Sequence, residues 1–229
     1  MLHERSFDAF LFDMDGTLID SIASANRIWR GWAIRHGLDP APVMAAMHGV
    51  RAEETVRRYL PHGDIAAEVA AIEQAEIEDV DGIVCIAGAR DLLAALPAGR
   101  WAIVTSASRA LARARLAAAG LTPPPVMVTA DDVARGKPEP DCFQLAARRL
   151  GFAPADCLVW EDTRAGITAA EAAGCAVMVI TATHSHRLDV PHPSVRSYVG
   201  LRVVVEGDGR LRVVAGQGSA LDPHRAGAL

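Results

Sequence analysis

Two aspartates, Asp13 and Asp15, end the short apolar run Ala9-Phe10-Leu11-Phe12 and are followed by Gly16-Thr17. Residues i and i+2 of a strand share a face, and a glycine just beyond them marks where the chain leaves the strand. The pattern predicts two carboxylates crowded at the C-terminal edge of a buried strand, where open α/β sheets place their ligand crevices. Carboxylates so close repel unless a cation or a shared proton relieves them. A divalent metal together with a nucleophile and an acid/base partner is the chemistry such a pair can serve. Asp and Gly are also ordinary turn residues, so this stretch alone is compatible with a solvated turn.

Three further segments carry chemistry-bearing residues, each after a predicted strand. Thr105-Ser106 follows Trp101-Ala102-Ile103-Val104. A hydroxyl and free backbone N–H groups at a strand end can hold a phosphate oxygen, although Ser106 or Ser108 can equally cap the next helix. Lys137, in Gly136-Lys137-Pro138-Glu139-Pro140, is the sole lysine among 23 Lys and Arg residues. Chance in an Arg-rich chain explains that, and so does a compact ammonium required beside an anion. Glu161-Asp162 follows Leu158-Val159-Trp160 and precedes Thr163-Arg164-Ala165-Gly166. Hard, octahedral Mg²⁺ takes one or two carboxylates with phosphate oxygen and water, and Glu-Asp is also an ordinary helix start.

The elements that must position these residues are readable in outline. Strands are predicted at about 8–13, 101–105, 125–129, 157–160 and 176–180. Helices are predicted at 89–96, 108–119, 140–150 and 164–173, the last three closed by Gly120, Gly151 and Gly174. Such alternation predicts an α/β fold with a doubly wound parallel sheet, Rossmann-like. Residues 21–80 read as helical almost throughout, with Ser21 as an N-cap and Ile28, Trp29, Trp32 and Ala33 on one stripe. That block cannot enter the sheet. It is expected to be an inserted all-helical cap domain over 20–86, with 1–19 and 87–229 forming the core and hinges at Asp20-Ser21 and Ala87-Gly88. A hairpin at about 202–214 turns on Gly207-Asp208-Gly209, and the tail at about 216–229 is expected to be disordered.

Bulk properties narrow the class. The 229 residues are 51% hydrophobic and 5% aromatic, with a net charge of −5. Nothing here favours nucleic acid or an anionic membrane as a partner, no apolar run is long enough to span a bilayer, and the N-terminus does not read as a signal peptide. Cys85, Cys142, Cys157 and Cys175 form no C-x-x-C pair, so reduced thiols and a cytoplasmic location are expected. Oligomeric state is not readable. His184, His186 and His192 near Asp189 lack diagnostic ligand spacing and read as a surface loop. Trp29 and Trp32 read as packing among the helices.

Taken in order, these four segments resemble the motifs of the haloacid-dehalogenase-like hydrolases, most of which are Mg-dependent phosphatases. The resemblance covers about residues 6–182. Ala107, where close relatives often have glycine, is a mild departure. The resemblance implies that Asp13 is the nucleophile and Asp15 the general acid and base. It implies that Thr105, Ser106 and Lys137 hold the transferring phosphoryl group. It also implies that Asp13, Asp15 through its carbonyl, and Asp162 bind Mg²⁺, with Glu161 in support. Dehalogenase members lack the second aspartate. Phosphonatase members use a cap lysine, and residues 20–86 contain none. The segment Met47-His48-Gly49-Val50-Arg51 is similar to one in hexose-phosphate, 2-deoxyglucose-6-phosphate and glycerol-phosphate phosphatases. His48, Gly49 and Arg51 are therefore expected to contact the substrate, a small phosphorylated sugar or polyol. Two alternatives stand beside this reading. One is a sugar phosphomutase, which often carries a His where this chain has Ser24-Ala25-Asn26. The other is a non-catalytic phosphate-binding protein.

Overall fold

The period-2 pattern of Ala9-Phe10-Leu11-Phe12 sends Ala9 and Leu11 to one face of a sheet and Phe10 and Phe12 to the other. In the computed structural model, which describes residues 5–186 and 188–215, this segment is β2 (Ala9–Phe12), preceded by β1 (Ser6–Phe7). The expected tail at 216–229 lies outside the described residues.

The chain continues through β3 (Ile19–Asp20) and four helices, α1 (Ile22–Arg35), α2 (Pro40–Met47), α3 (Ala52–Tyr59) and α4 (Ile65–Glu78), to β4 (Val84–Cys85). Then come α5 (Ala89–Ala94), β5 (Trp101–Val104), α6 (Arg109–Ala118), β6 (Met127–Val128), α7 (Asp141–Leu150), β7 (Cys157–Glu161), α8 (Arg164–Ala173), β8 (Ala176–Ile180) and β9 (Ser194–Val195). The hairpin β10 (Leu201–Val205) and β11 (Leu211–Ala215) closes the order and pairs with β1 in a small antiparallel sheet.

The main sheet is parallel, in the order β6-β5-β2-β7-β8-β9. Successive strands step from β2 outward to β6, then cross back to β7 and step outward the other way. The strand order therefore reverses beside β2, and a crevice opens there at the C-terminal edge. Register sets Phe12 opposite Ile103 of β5 and Trp160 of β7, so the residues just past these strands share one edge. Both faces are covered. Ala9, Leu11, Val104 and Val159 pack with Phe143 of α7 and Ile167 of α8. Phe10, Phe12, Trp101 and Trp160 pack with Leu92 of α5, Leu116 of α6 and Tyr198. This is the α/β, doubly wound, Rossmann-like arrangement that the alternation of elements predicts.

The four helices α1–α4 pack on their own apolar cluster, which includes Trp29, Trp32, Val43, Met47, Val56 and Ile72. Trp29 and Trp32 meet edge to face with ring centroids 5.5 Å apart. The two chain crossings between helices and sheet are tied by a ribbon in which Ile19 pairs with Cys85 and Asp20 with Val84. Local signals explain the breaks. Asp39 accepts from Ala41 N with Pro40 at the first turn of α2, and Asp64 accepts from Ala67 N at the start of α4. Ser21 departs from its expected capping role. Its hydroxyl makes no cap bond and donates instead to Asp15 Oδ1 at 2.6 Å, while Asp20 Oδ1 accepts from Ile22 N. Among the described residues, no helix is long and apolar enough to cross a membrane.

Candidate active site

The loop after β2 is tight because one carbonyl serves three amides. Met14 O accepts from the N–H groups of Thr17, Leu18 and Ile19, and Gly16 N donates to Ile19 O at 2.7 Å. Gly16 sits at φ +85°, and a Cβ there would lie 2.0 Å from Asp162 Oδ2. Only glycine allows both this backbone and that approach. Below the loop, Phe12 stacks on Trp160 at 5.7 Å, and Tyr198 donates to Thr17 O at 3.2 Å. The turn therefore stands on a rigid aromatic floor.

Four charged groups converge where β2, β5 and β7 end. Lys137 Nζ donates to Asp13 Oδ1 at 2.5 Å, Glu161 Oε1 at 2.8 Å and Val104 O at 3.2 Å. Its three donors are thereby used, and the side chain is 1% exposed. Glu161 Oε2 accepts from the backbone N–H of Asp162 and of Thr163 and from the Thr163 hydroxyl. Asp162 Oδ1 accepts from the Thr17 hydroxyl at 3.1 Å.

Asp13, Glu161 and Asp162 each present a carboxylate oxygen within 4.8 Å of the others. Three buried acids face one ammonium. Burial, with Glu161 and Asp15 adding repulsion against the pull of Lys137, lifts Asp13 to about 7. Burial, then Glu161 and Asp13, pushes Asp162 well above the carboxylate range. This excess of negative charge on hard oxygen donors fits a divalent cation such as Mg²⁺. Asp13 and Asp162 are the acids with the fewest internal bonds. Glu161 is in the same cluster, but its oxygens are engaged by Lys137 and the β7–α8 loop.

Asp15 is half-buried beside this cluster. Its Oδ1 accepts from Ser21 Oγ and, at 3.0 Å, from Arg115 Nη1 of α6. Thr105 is buried, its amide donates to Val128 O, and its Oγ1 accepts from Ala107 N. Ser106 Oγ donates to Gly49 O at 3.0 Å, while Ser108 caps α6 through Leu111 N.

A cavity of about 640 Å³ lies between the strand ends and the four helices, lined by Asp13, Asp15, Thr105, Ser106 and Asp162. His48, Gly49 and Arg51 also line it. Burial, opposed by Asp15 and aided by Arg115, lowers the His48 pKa below that of an ordinary imidazole. Gly49 sits at φ +78°, and a Cβ there would be 2.5 Å from Thr163 Oγ1. Arg51 donates to Val133 O at 2.7 Å and Ala134 O at 3.2 Å, so its guanidinium ties the α2–α3 connection to the β6–α7 loop.

Some site residues have no place among the sequence motifs. Thr17, Glu76 and Arg115 touch the acidic cluster or its partners, as does Ser21, which the sequence pattern assigns to a helix cap. Arg115 and Glu76 have a trace in the sequence: each is a charge on the buried stripe of its helix, four residues after Leu111 and Ile72 respectively. The loop holding His184 is a surface loop, as expected, and it also lines the cavity, with His184 Nε2 4.0 Å from Asp162 Oδ2. The connection from β8 to β9 carries it there, and β9 is only two residues long. His192 lies apart, bonded to Glu171 at 2.7 Å.

A family model for haloacid dehalogenase-like hydrolases matches residues 7–174. Hexitol phosphatase A of Escherichia coli (strain K12) is 48% identical over 178 residues, covering 76% of this chain and 82% of its own length. 2-deoxyglucose-6-phosphate phosphatase 2 of Saccharomyces cerevisiae is 31% identical over 201 residues, covering 78% and 82%. Among solved structures, CbbY from Rhodobacter sphaeroides in complex with phosphate is similar with a TM-score of 0.69 at 25% identity, covering 84% of this chain and 95% of that one.

Proposed function

We propose a function for this chain from the premise that it belongs to the haloacid dehalogenase-like hydrolase family: it is a Mg²⁺-dependent phosphatase of small phosphorylated sugars or polyols, working through an aspartyl-phosphate. The observation that carries this reading is that Asp13, Asp15 and Asp162 line one cavity at the strand ends, with Lys137 and Glu161 buried directly behind Asp13.

An Asp13 carboxylate oxygen attacks phosphorus in line, and the ester P–O bond breaks. Asp15 gives its proton to the departing alkoxide. Water then attacks the same phosphorus, Asp15 takes a proton from it, and the bond to Asp13 breaks to release inorganic phosphate. Lys137, held by Glu161, neutralises charge on Asp13 and the transferring group. Thr105 and Ser106 hold phosphoryl oxygens. Asp13, Asp162 and the Asp15 carbonyl would hold the metal. When bound, Mg²⁺ supplies positive charge to the nucleophile and the phosphoryl oxygens.

The substrate class rests on three supports. Relatives are named for hexitol and 2-deoxyglucose-6-phosphate. The cavity volume suits a small metabolite. A His48 kept neutral by burial can donate to or accept from a sugar hydroxyl. His48, Gly49 and Arg51 form the wall that meets the leaving group. The test is phosphate release from a panel of sugar, polyol and nucleotide phosphates with Mg²⁺ or EDTA. Release restricted to Mg²⁺ and highest with sugar or polyol phosphates is expected. No release, accompanied by hexose-phosphate isomerisation when a bisphosphate is added, would replace this reading with a phosphomutase.

A further inference from the structure

Arg115 links the Asp15 carboxylate to helix α4 through Glu76. Its Nη1 donates to Asp15 Oδ1 and its Nη2 to Glu76 Oε1, each at 3.0 Å. Arg115 and Glu76 are each 5% exposed. Glu76 Oε1 also accepts from Trp29 Nε1 at 3.2 Å, so α1 fixes this carboxylate as well. A guanidinium is a rigid fork, so locating one of its ends locates the other.

Stability alone does not call for such a chain. Well-packed apolar side chains would hold α4 against α6 at least as well as a buried ion pair, without its desolvation cost. Geometry supplies a different reason. Ser21 and Arg115 both engage Oδ1 of Asp15, and among the described residues Oδ2 accepts no hydrogen bond. Two donors thus fix the carboxylate by one oxygen and leave the other for a transferable proton, on a residue that lines the cavity.

We propose that Arg115 is a positioning residue for Asp15, and that Glu76 makes this positioning depend on the seating of α4, so that Asp15 is aimed at the leaving-group oxygen only when the four helices close over the cavity. The proposal rests on the acid/base role given to Asp15 above. In the first half-reaction the ester oxygen leaves phosphorus with its bonding pair and takes the proton from Asp15, while Asp13 bonds to phosphorus. Arg115 gives up no proton and forms no bond to substrate.

A leaving group that needs no proton separates this role from a structural one. The experiment measures kcat and kcat/KM with glycerol phosphate and with p-nitrophenyl phosphate, because kcat/KM reports steps only through the first phosphoryl transfer. Asp15→Asn sets the scale, losing activity mainly on glycerol phosphate. Arg115→Met should lose about 100-fold on glycerol phosphate, carried by kcat, and less than about threefold in kcat/KM on p-nitrophenyl phosphate. Glu76→Gln, which keeps an acceptor for Trp29, should lose about tenfold with the same selectivity. Arg115→Met leaves the buried Glu76 and the half-buried Asp15 without their cation. If it does not fold, the Arg115→Met/Glu76→Gln double variant carries the test, with the same selectivity expected. Equal losses on both substrates, the pattern of a merely structural role, or no loss on either, would overturn the proposal. If Asp15→Asn itself lowered both substrates equally, the acid role of Asp15 would fall and take the proposal with it.

Discussion

Lys137 donates to Glu161 at 2.8 Å with both side chains inside the protein, 1% and 0% exposed. The other oxygen of Glu161 accepts from the backbone N–H groups of Asp162 and Thr163. One carboxylate therefore sets the ammonium against Asp13 and also fixes the loop that carries Asp162. Both sides of the cluster are placed by the same contact.

Removing Lys137 strands buried acids, whereas Glu161→Gln leaves the ammonium paired with Asp13. Lys137→Met is therefore expected to lower stability by about 3 kcal/mol and Glu161→Gln by less. Because the two are in direct contact, the Lys137→Met/Glu161→Gln double variant should be more stable than the sum of the singles predicts, though less stable than the wild type. It should not recover turnover, since Asp13 is left without its cation. Urea denaturation and phosphate release on the three variants check this. A double variant as unstable as the sum of the singles, or one that turns over, would contradict the role given to the pair.

Metal binding should be linked to pH with a definite sign. Asp13 rises to about 7 and Asp162 well above the carboxylate range, both first because of burial. A group whose folded pKa is raised stabilises the metal-free protein at low pH, and that stabilisation is lost as pH rises through the folded value. A divalent cation needs the same carboxylates deprotonated. The gain in Tm on adding Mg²⁺ should therefore grow as pH rises from about 5 to about 8, with protons released on binding. Thermal melts across pH, and calorimetry in buffers of different ionisation enthalpy, measure it. A gain that shrank with rising pH would contradict the assignment of these acids as ligands.

Gly49 is glycine because Thr163 occupies the space of its missing Cβ. Gly49→Ala should hold the α2–α3 connection away from the β7–α8 loop and weaken the bond from Ser106 to Gly49 O. KM for a polyol phosphate is expected to rise about tenfold or more. Gly37→Ala is the matched control. Gly37 also has positive φ, at +68°, but nothing lies within 4 Å of its Cβ position, so the backbone strain is similar while closure is untouched. Steady-state kinetics on both variants decide. Equal effects would mean that strain, and not the lost approach to Thr163, is responsible.

The parts of the site readable in sequence are those that follow an apolar run. Asp13, Asp15, Thr105, Glu161 and Asp162 each come at or just past the end of a strand, and parallel topology gathers strand ends on one edge, so local pattern foretold a distant meeting. Lys137 follows no strand directly and stood out because the chain has no other lysine and because its Gly-Lys-Pro setting resembles the family's basic motif. Ser21 misled, because the hydroxyl that can cap a helix can equally reach Asp15, and local pattern does not separate the two. Arg115 and Asp15 meet across 100 positions, a distance no periodicity encodes. His184 lines the cavity from the connection between β8 and β9, where no alternation marks the path of the chain.

The central claim is a covalent bond between phosphate and Asp13, and the most direct test is to look for it. Acid-quenched single turnover with a ³²P-labelled polyol phosphate, followed by proteolysis and mass spectrometry, would locate any bound phosphate. The account predicts transient label on the peptide containing Asp13, formed with Mg²⁺, sensitive to hydroxylamine and absent in Asp13→Asn. Phosphate release by the wild type with no label at any time, or with label on another residue, would contradict it.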